Sequence, residues 1–144
     1  MYTGLKHLHS FMPYLLLTVL FLALLKSFIA YQKNQKHTEA HRKNGLILLI
    51  LAHLQLTIGL VLYFISPITT SAMPAMGSVM KDPTLRLYAL EHPVMMLIAI
   101  ILITRAYSKS KKDIDDRTKH KVKWVSYLVA LVLILSKIPW SVWP

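Results

Sequence analysis

The chain has 144 residues, 55% of them hydrophobic, a formal net charge of +11 and no cysteine. Without cysteine there are no disulfides, thiolate metal sites, iron–sulfur clusters or covalently attached c-type haem. Nearly everything outside its long apolar segments is short loop, which leaves no room for a separate soluble domain, so one all-helical membrane domain over residues 1–144 is expected.

A hydrocarbon core about 30 Å thick needs about 20 helical residues to cross. Four segments meet that length, at roughly residues 5–30, 45–66, 85–104 and 122–139. The first is longer than the apolar core of about 7–15 residues in a secretory leader, and no small-residue cleavage site follows, so it is expected to remain as a span. His7 and His9 lie at its lip, with Lys6 and Ser10 beside them. Being two residues apart, the two histidines point about 200° away from each other on a helix.

The loop after it carries Lys33, Lys36, Arg42 and Lys43, and its His37 and His41 read as solvated. In the second span His53 falls about 12 Å along from Gly45 at the helical rise, near mid-depth. One face there is small and polar: Ala52, Gln55, Gly59, Tyr63 and Ser66, with His53 and Thr57 flanking it. The connection at 67–83, with Met73, Met76 and Met80 between prolines, predicts a short interfacial helix whose methionines form an apolar cover.

The third span places Leu85, Tyr88, Ala89, His92, Met96, Ala99 and Ile103 on one stripe. His92 is about 10 Å along from Leu85, with Glu91 beside it. Pro93 has no N–H and therefore leaves the Ala89 carbonyl without its helical donor, which predicts a bend beside His92. A strongly basic loop follows, with Arg105, Lys109, Lys111, Lys112, Arg117, Lys119, Lys121 and Lys123, and His120 at its end. Trp124 opens the fourth span, and Trp140 and Trp143 close it, as indoles favour the two interfaces.

Positive loops stay in the cytoplasm, so both termini are expected outside and the first and third loops inside. The basic excess then serves topology and anionic lipid rather than nucleic acid. On this orientation His9 and His92 lie toward the outside, His53 near the middle and His120 at the inner interface.

An ionisable group facing lipid at mid-depth costs about 2.5 kcal/mol or more, so these histidines should turn inward. Three chemistries use them. Axial ligation of haem b needs a neutral imidazole on each face of the iron. Cu(I) handling would combine His7 and His9 with Met73, Met76 and Met80. A proton relay or quinone site would use Glu91, His92, His53, Gln55 and Tyr63. Glu91 has three readings: orienting a ligand histidine on another helix, carrying a proton, or pairing with Arg86 or Lys6. No Gly-x-Ser-x-Gly, His-Glu-x-x-His or phosphate-binding glycine loop is present.

The opening Tyr2-Thr3-Gly4-Leu5-Lys6-His7-Leu8-His9-Ser10, then Ala52-His53-Leu54-Gln55, Leu60-Val61-Leu62-Tyr63-Phe64-Ile65-Ser66-Pro67, Glu91-His92, Thr118-Lys119-His120 and Ile138-Pro139-Trp140 resemble the small four-helix cytochrome b-like membrane proteins of Bacteroidetes. The resemblance covers nearly the whole chain. It implies haem and electron transfer, with His7, His9, His53, His92 and His120 as the matching histidines, and a bacterial inner membrane. The expectation is therefore an all-α, four-helix transmembrane bundle binding haem b. His9 with His92 is the first axial pair, and His53 with His120 is a possible second. Arg86 and Lys6 would neutralise propionates, and quinone would exchange electrons near Gln55 and Tyr63. Other membrane subunits or a second copy are the protein partners considered. The alternatives are a cofactor-free structural or proton-linked subunit and the copper protein.

Overall fold

A computed structural model describes residues 1–143, and every structural element among them is helical. The elements are α1 (Tyr2–Gln32), α2 (Glu39–Ile65), α3 (Pro67–Ala72), a 3₁₀ turn (Met73–Ala75), α4 (Met76–Val79), α5 (Pro83–Arg86), a π-helical turn (Leu87–Glu91), α6 (His92–Ser110) and α7 (Asp116–Ser136). Three helices are long and apolar enough to cross a membrane: Tyr2–Gln32, Glu39–Ile65 and the run Pro83–Ser110. The fourth expected span differs. It lies in α7, which begins at Asp116 rather than Val122 and spends its first two turns on Arg117, Lys119, His120, Lys121 and Lys123. Those charges dilute its apolar length.

Helix ends follow local chemistry. Asn34, in the left-handed region at φ 49°, turns the chain out of α1, a conformation asparagine tolerates better than most residues. Thr38 begins α2 through a reciprocal cap with His41: the Thr38 N–H donates to His41 Nδ1 at 3.1 Å. Asp82 and Asp115 cap α5 and α7 by accepting backbone N–H groups of their first turns, satisfying donors that have no helical partner.

The four long helices form a closed ring. α1 packs against α2 and α7, and α6 packs against the same two, so α1 and α6 stand diagonally opposed. Their shared core includes Leu16, Leu20, Leu48, Ala52, Ala99, Ile103, Tyr127 and Ala130. Small side chains at these contacts let the backbones approach closely. Gly45 shows how closely: a Cβ there would stand 3.4 Å from both Tyr107 and the Tyr127 hydroxyl. Outward faces carry Phe21, Leu22, Ile47, Ile50, Leu54, Leu97, Ile101, Val132 and other exposed apolar residues. A ring that is apolar outside as well as inside suits lipid rather than water.

Both termini lie at one end of the ring, the same end as the α3–α5 connection. There Trp143 Nε1 donates to the Ser10 carbonyl at 2.8 Å and its ring stacks on Tyr14. The basic loops lie at the other end.

Candidate functional site

Pro93 sets up the terminal-end site. It cannot bond to Ala89, and the chain accommodates it by a π-helical turn in which the His92 N–H reaches back to the Leu87 carbonyl. The Ala89 carbonyl is not orphaned, because Tyr63 on α2 donates its hydroxyl to it at 2.9 Å. Leaving such a carbonyl unsatisfied costs about 1–3 kcal/mol. The turn is thus pinned from a neighbouring helix, and π turns of this kind cluster at functional sites.

His92, displaced by that turn, faces His9 across the interior. Their ring centres are 6.2 Å apart and the planes cross at 77°. His92 Nδ1 lies 2.8 Å from the Lys137 carbonyl. A carbonyl only accepts, so Nδ1 carries the proton and Nε2 is left with a free lone pair. On the other side, the Gln55 amide nitrogen donates to the His9 carbonyl at 2.9 Å and to His9 Nδ1 at 3.1 Å. That arrangement makes His9 Nδ1 the acceptor and Nε2 the N–H. Gln55 Oε1 is buried with no partner. Gly59 makes room for this ring, since a Cβ there would stand 3.0 Å from His9 Cε1 and the ring would have to give way.

Glu91 ties the rim together. Its carboxylate accepts from Arg86 Nε and from Lys137 Nζ, each at 2.7 Å, and Arg86 also donates to the Met80 carbonyl. Of its three readings, the structure shows the ion pair with Arg86 and adds Lys137 in place of Lys6.

Several expected residues go elsewhere. His53 is exposed on the outward side of α2 and bonds back to its own helix, Nδ1 to the Leu49 carbonyl at 2.8 Å. That local bond gives the imidazole a partner without turning inward, and it corrects the expectation of burial. The proposed His53–His120 pair is therefore not brought together. His7 and Lys6 are exposed on α1, and Met73, Met76 and Met80 are exposed on the terminal cap.

His120 belongs to a second cluster at the loop end. Its ring centre is 4.8 Å from that of His41 and 5.2 Å from that of His37, with His37 and His41 5.5 Å apart. His120 is fully buried, and its Nε2 bonds to the Gln35 carbonyl at 3.1 Å. Lys123, also buried, donates to the His41 carbonyl at 2.8 Å. Burial, with Lys123 and the neighbouring histidines adding to it, lowers the His37 pKa to about 4. Burial likewise lowers that of His120, partly offset by the Gln35 carbonyl.

The expectation that His37 and His41 are solvated is overturned. His41 is the third residue of α2, which starts six residues before the predicted span, and α7 likewise starts six before its own. Both extensions carry histidine into contact with the loop. Thr38, a favoured N-cap residue ahead of a helical run, was the signal available in the sequence.

Comparison with protein-family models, curated proteins and solved structures found no match to this chain.

Proposed function

We propose that this chain is a four-helix transmembrane bundle with both termini outside a bacterial inner membrane. In this reading it holds one haem b between His9 and His92 and carries electrons, exchanging them with quinone or within a respiratory assembly. The observation that carries the reading is the opposition of two imidazoles from diagonal helices, with ring centres 6.2 Å apart. The orientation is supported by the basic residues of the two loops at the far end. On this view α7 completes the fourth wall of the ring, its charged first turns standing at the inner interface.

The residues fit such a group. A metal–imidazole distance of about 2 Å on each side puts two coaxial rings about 6 Å apart, centre to centre. His92 already presents a bare Nε2, fixed by a carbonyl on Nδ1 as ligand histidines commonly are. His9 must move its proton from Nε2 to Nδ1. The orphaned Oε1 of Gln55 is the acceptor that this tautomer needs, reached by a half-turn of the amide at the expense of its bond to the His9 carbonyl. Bound there, haem b supplies reversible one-electron transfer at iron.

The protein's own part is positioning. Tyr63 holds the π turn, Gly59 admits the His9 ring, and the Lys137 carbonyl sets the His92 tautomer. Arg86 is shared with Glu91, so it offers a propionate less than a free arginine would, and Lys6 stands exposed nearby. Tyr63 and Gln55 are engaged with Ala89 and His9, so quinone as partner rests on its solubility in lipid.

One observation favours the second reading, a cofactor-free structural or proton-linked subunit. In the tautomers that these hydrogen bonds imply, His9 Nε2 is a donor and His92 Nε2 an acceptor, complementary roles that need no iron. Protein purified in detergent with haem supplied separates the two. The haem reading expects a Soret band that His9→Ala and His92→Ala each abolish. No Soret band, with His92→Ala altering assembly, would favour the second.

A further inference from the structure

We propose that His37, His41 and His120 form a site for one divalent first-row transition metal ion of the zinc class at the loop end, independent of the His9–His92 pair. Three imidazole nitrogens about 2 Å from one tetrahedral ion place their ring centres about 5 Å apart. The three separations here are 4.8, 5.2 and 5.5 Å. The rings come from three separate elements, the α1–α2 loop, the start of α2 and the start of α7, so their approach is a product of the fold.

Each ring keeps a nitrogen in reserve. His120 is fully buried and its Nδ1 has no partner, although Nε2 is bonded to Gln35. His37 Nε2 is also buried and unpartnered. His41 Nδ1 accepts the Thr38 N–H, which puts the ring proton on Nε2; ligation through Nε2 needs the other tautomer, in which Nδ1–H donates to the Thr38 hydroxyl oxygen 2.9 Å away at the expense of the N–H bond. Buried polar atoms without partners are uncommon and costly, and a single ion satisfies two of them at once. In His120 the second nitrogen is already anchored as a donor to a carbonyl, as a metal ligand's usually is.

Among the described residues no three ligating groups converge on one point as the side chains stand. Two adjustments are missing: the tautomer change at His41 and a ring rotation at His37, which sits on the loop and has no ring hydrogen bond to break. A cleft of about 270 Å³, lined by His37, Thr38, Glu39, Arg42 and Lys119 among others, gives access from the surface.

The donor set names the ligand class. Neutral imidazoles without thiolate or a carboxylate in the trio select zinc, copper or nickel over magnesium or calcium. Lys119 and Lys123 oppose a dication, and Asp116, which acts on His41 and His120, partly offsets them. Three protein ligands leave a fourth position for water or another small ligand.

The test is titration of the tag-free protein in detergent with Co²⁺, read by its ligand-field absorption, followed by competition with Zn²⁺ and with Mg²⁺. The expected result is one saturable equivalent, displaced by Zn²⁺ and indifferent to Mg²⁺. Losing one ligand should weaken binding at least about tenfold, as even supporting contacts are worth about 10–100-fold. His37→Ala supplies that variant, being a loop residue whose loss leaves the helices intact. His9→Ala and His92→Ala should bind Co²⁺ as the wild type does. No saturable binding, or equal affinity in His37→Ala, would overturn the site.

Discussion

The two ends of this bundle both gather histidines, but by different means. At the terminal end the pair comes from within long helices, His9 on α1 and His92 at the start of α6. Each ring is locked by a partner on another helix, Gln55 from α2 and the Lys137 carbonyl at the end of α7. At the loop end the trio comes from a loop and two helix starts, and one ring, His37, is not locked at all. In the first arrangement both rings are held in place, with only the His9 tautomer and the Gln55 amide left to change, and the second is adaptable. Preorganised ligands suit a large group held permanently, whereas an unlocked arm suits an ion that enters and leaves.

The sharpest way to break this contrast is to remove one histidine from each end. His92→Ala should abolish haem absorbance and leave Co²⁺ binding unchanged. His37→Ala should do the reverse, and His53→Ala, which alters an exposed ring bonded only to its own helix, should change neither. Absorbance spectra of the three variants, purified side by side, check all of these.

A smaller effect is expected from crowding the locked site. Gly59→Leu drives carbon into the space of the His9 ring, where even a Cβ is 3.0 Å from Cε1. Overpacking of this kind costs about 1–3 kcal/mol. Thermal unfolding in detergent should show the loss, together with weakened haem retention and unchanged Co²⁺ affinity.

Tyr63→Phe should cost about 1–3 kcal/mol by orphaning the Ala89 carbonyl. Pro93→Ala restores an N–H that can take that carbonyl, so in its background the tyrosine substitution should cost markedly less. A double-mutant cycle on thermal stability reads this coupling directly.

The mildest effect concerns pH at the adaptable end. The folded His37 pKa lies near 4, below its ordinary value of 6.5. Its neutral form is therefore compatible with the fold above pH 6.5, and stability falls as pH drops from 6.5 towards 4, while the unfolded chain protonates first. His41, His120, Lys119 and Lys123 face it, and Asp116 lies close to His41 and His120. Hydrogen exchange should rise in the 33–41 segment across that window.

The terminal end was largely legible in the sequence. Pro93 pointed to a free Ala89 carbonyl, and the small polar face of the second span contained Gln55, Gly59 and Tyr63, which meet His9 and that carbonyl. Depth paired His9 with His92. His53 misled because depth says that an imidazole needs a partner but not that the partner lies inward, and its own helix supplied one at Leu49. The loop end was hidden because hydropathy marks where apolar segments begin, whereas helices begin where caps allow. Thr38 and Asp115 start α2 and α7 early, within charged sequence, and that brings His41 and His120 to His37. The π turn at Leu87–Glu91 was visible only as a bend, since proline forbids one bond without specifying how the chain adjusts.

The most direct test of the central claim is the absorption spectrum of the purified wild-type protein after haem supplementation, quantified as pyridine haemochrome. The account predicts a Soret band at one haem per chain, lost in His9→Ala as in His92→Ala. A spectrum with no Soret band, or a band that survives both substitutions, would contradict it.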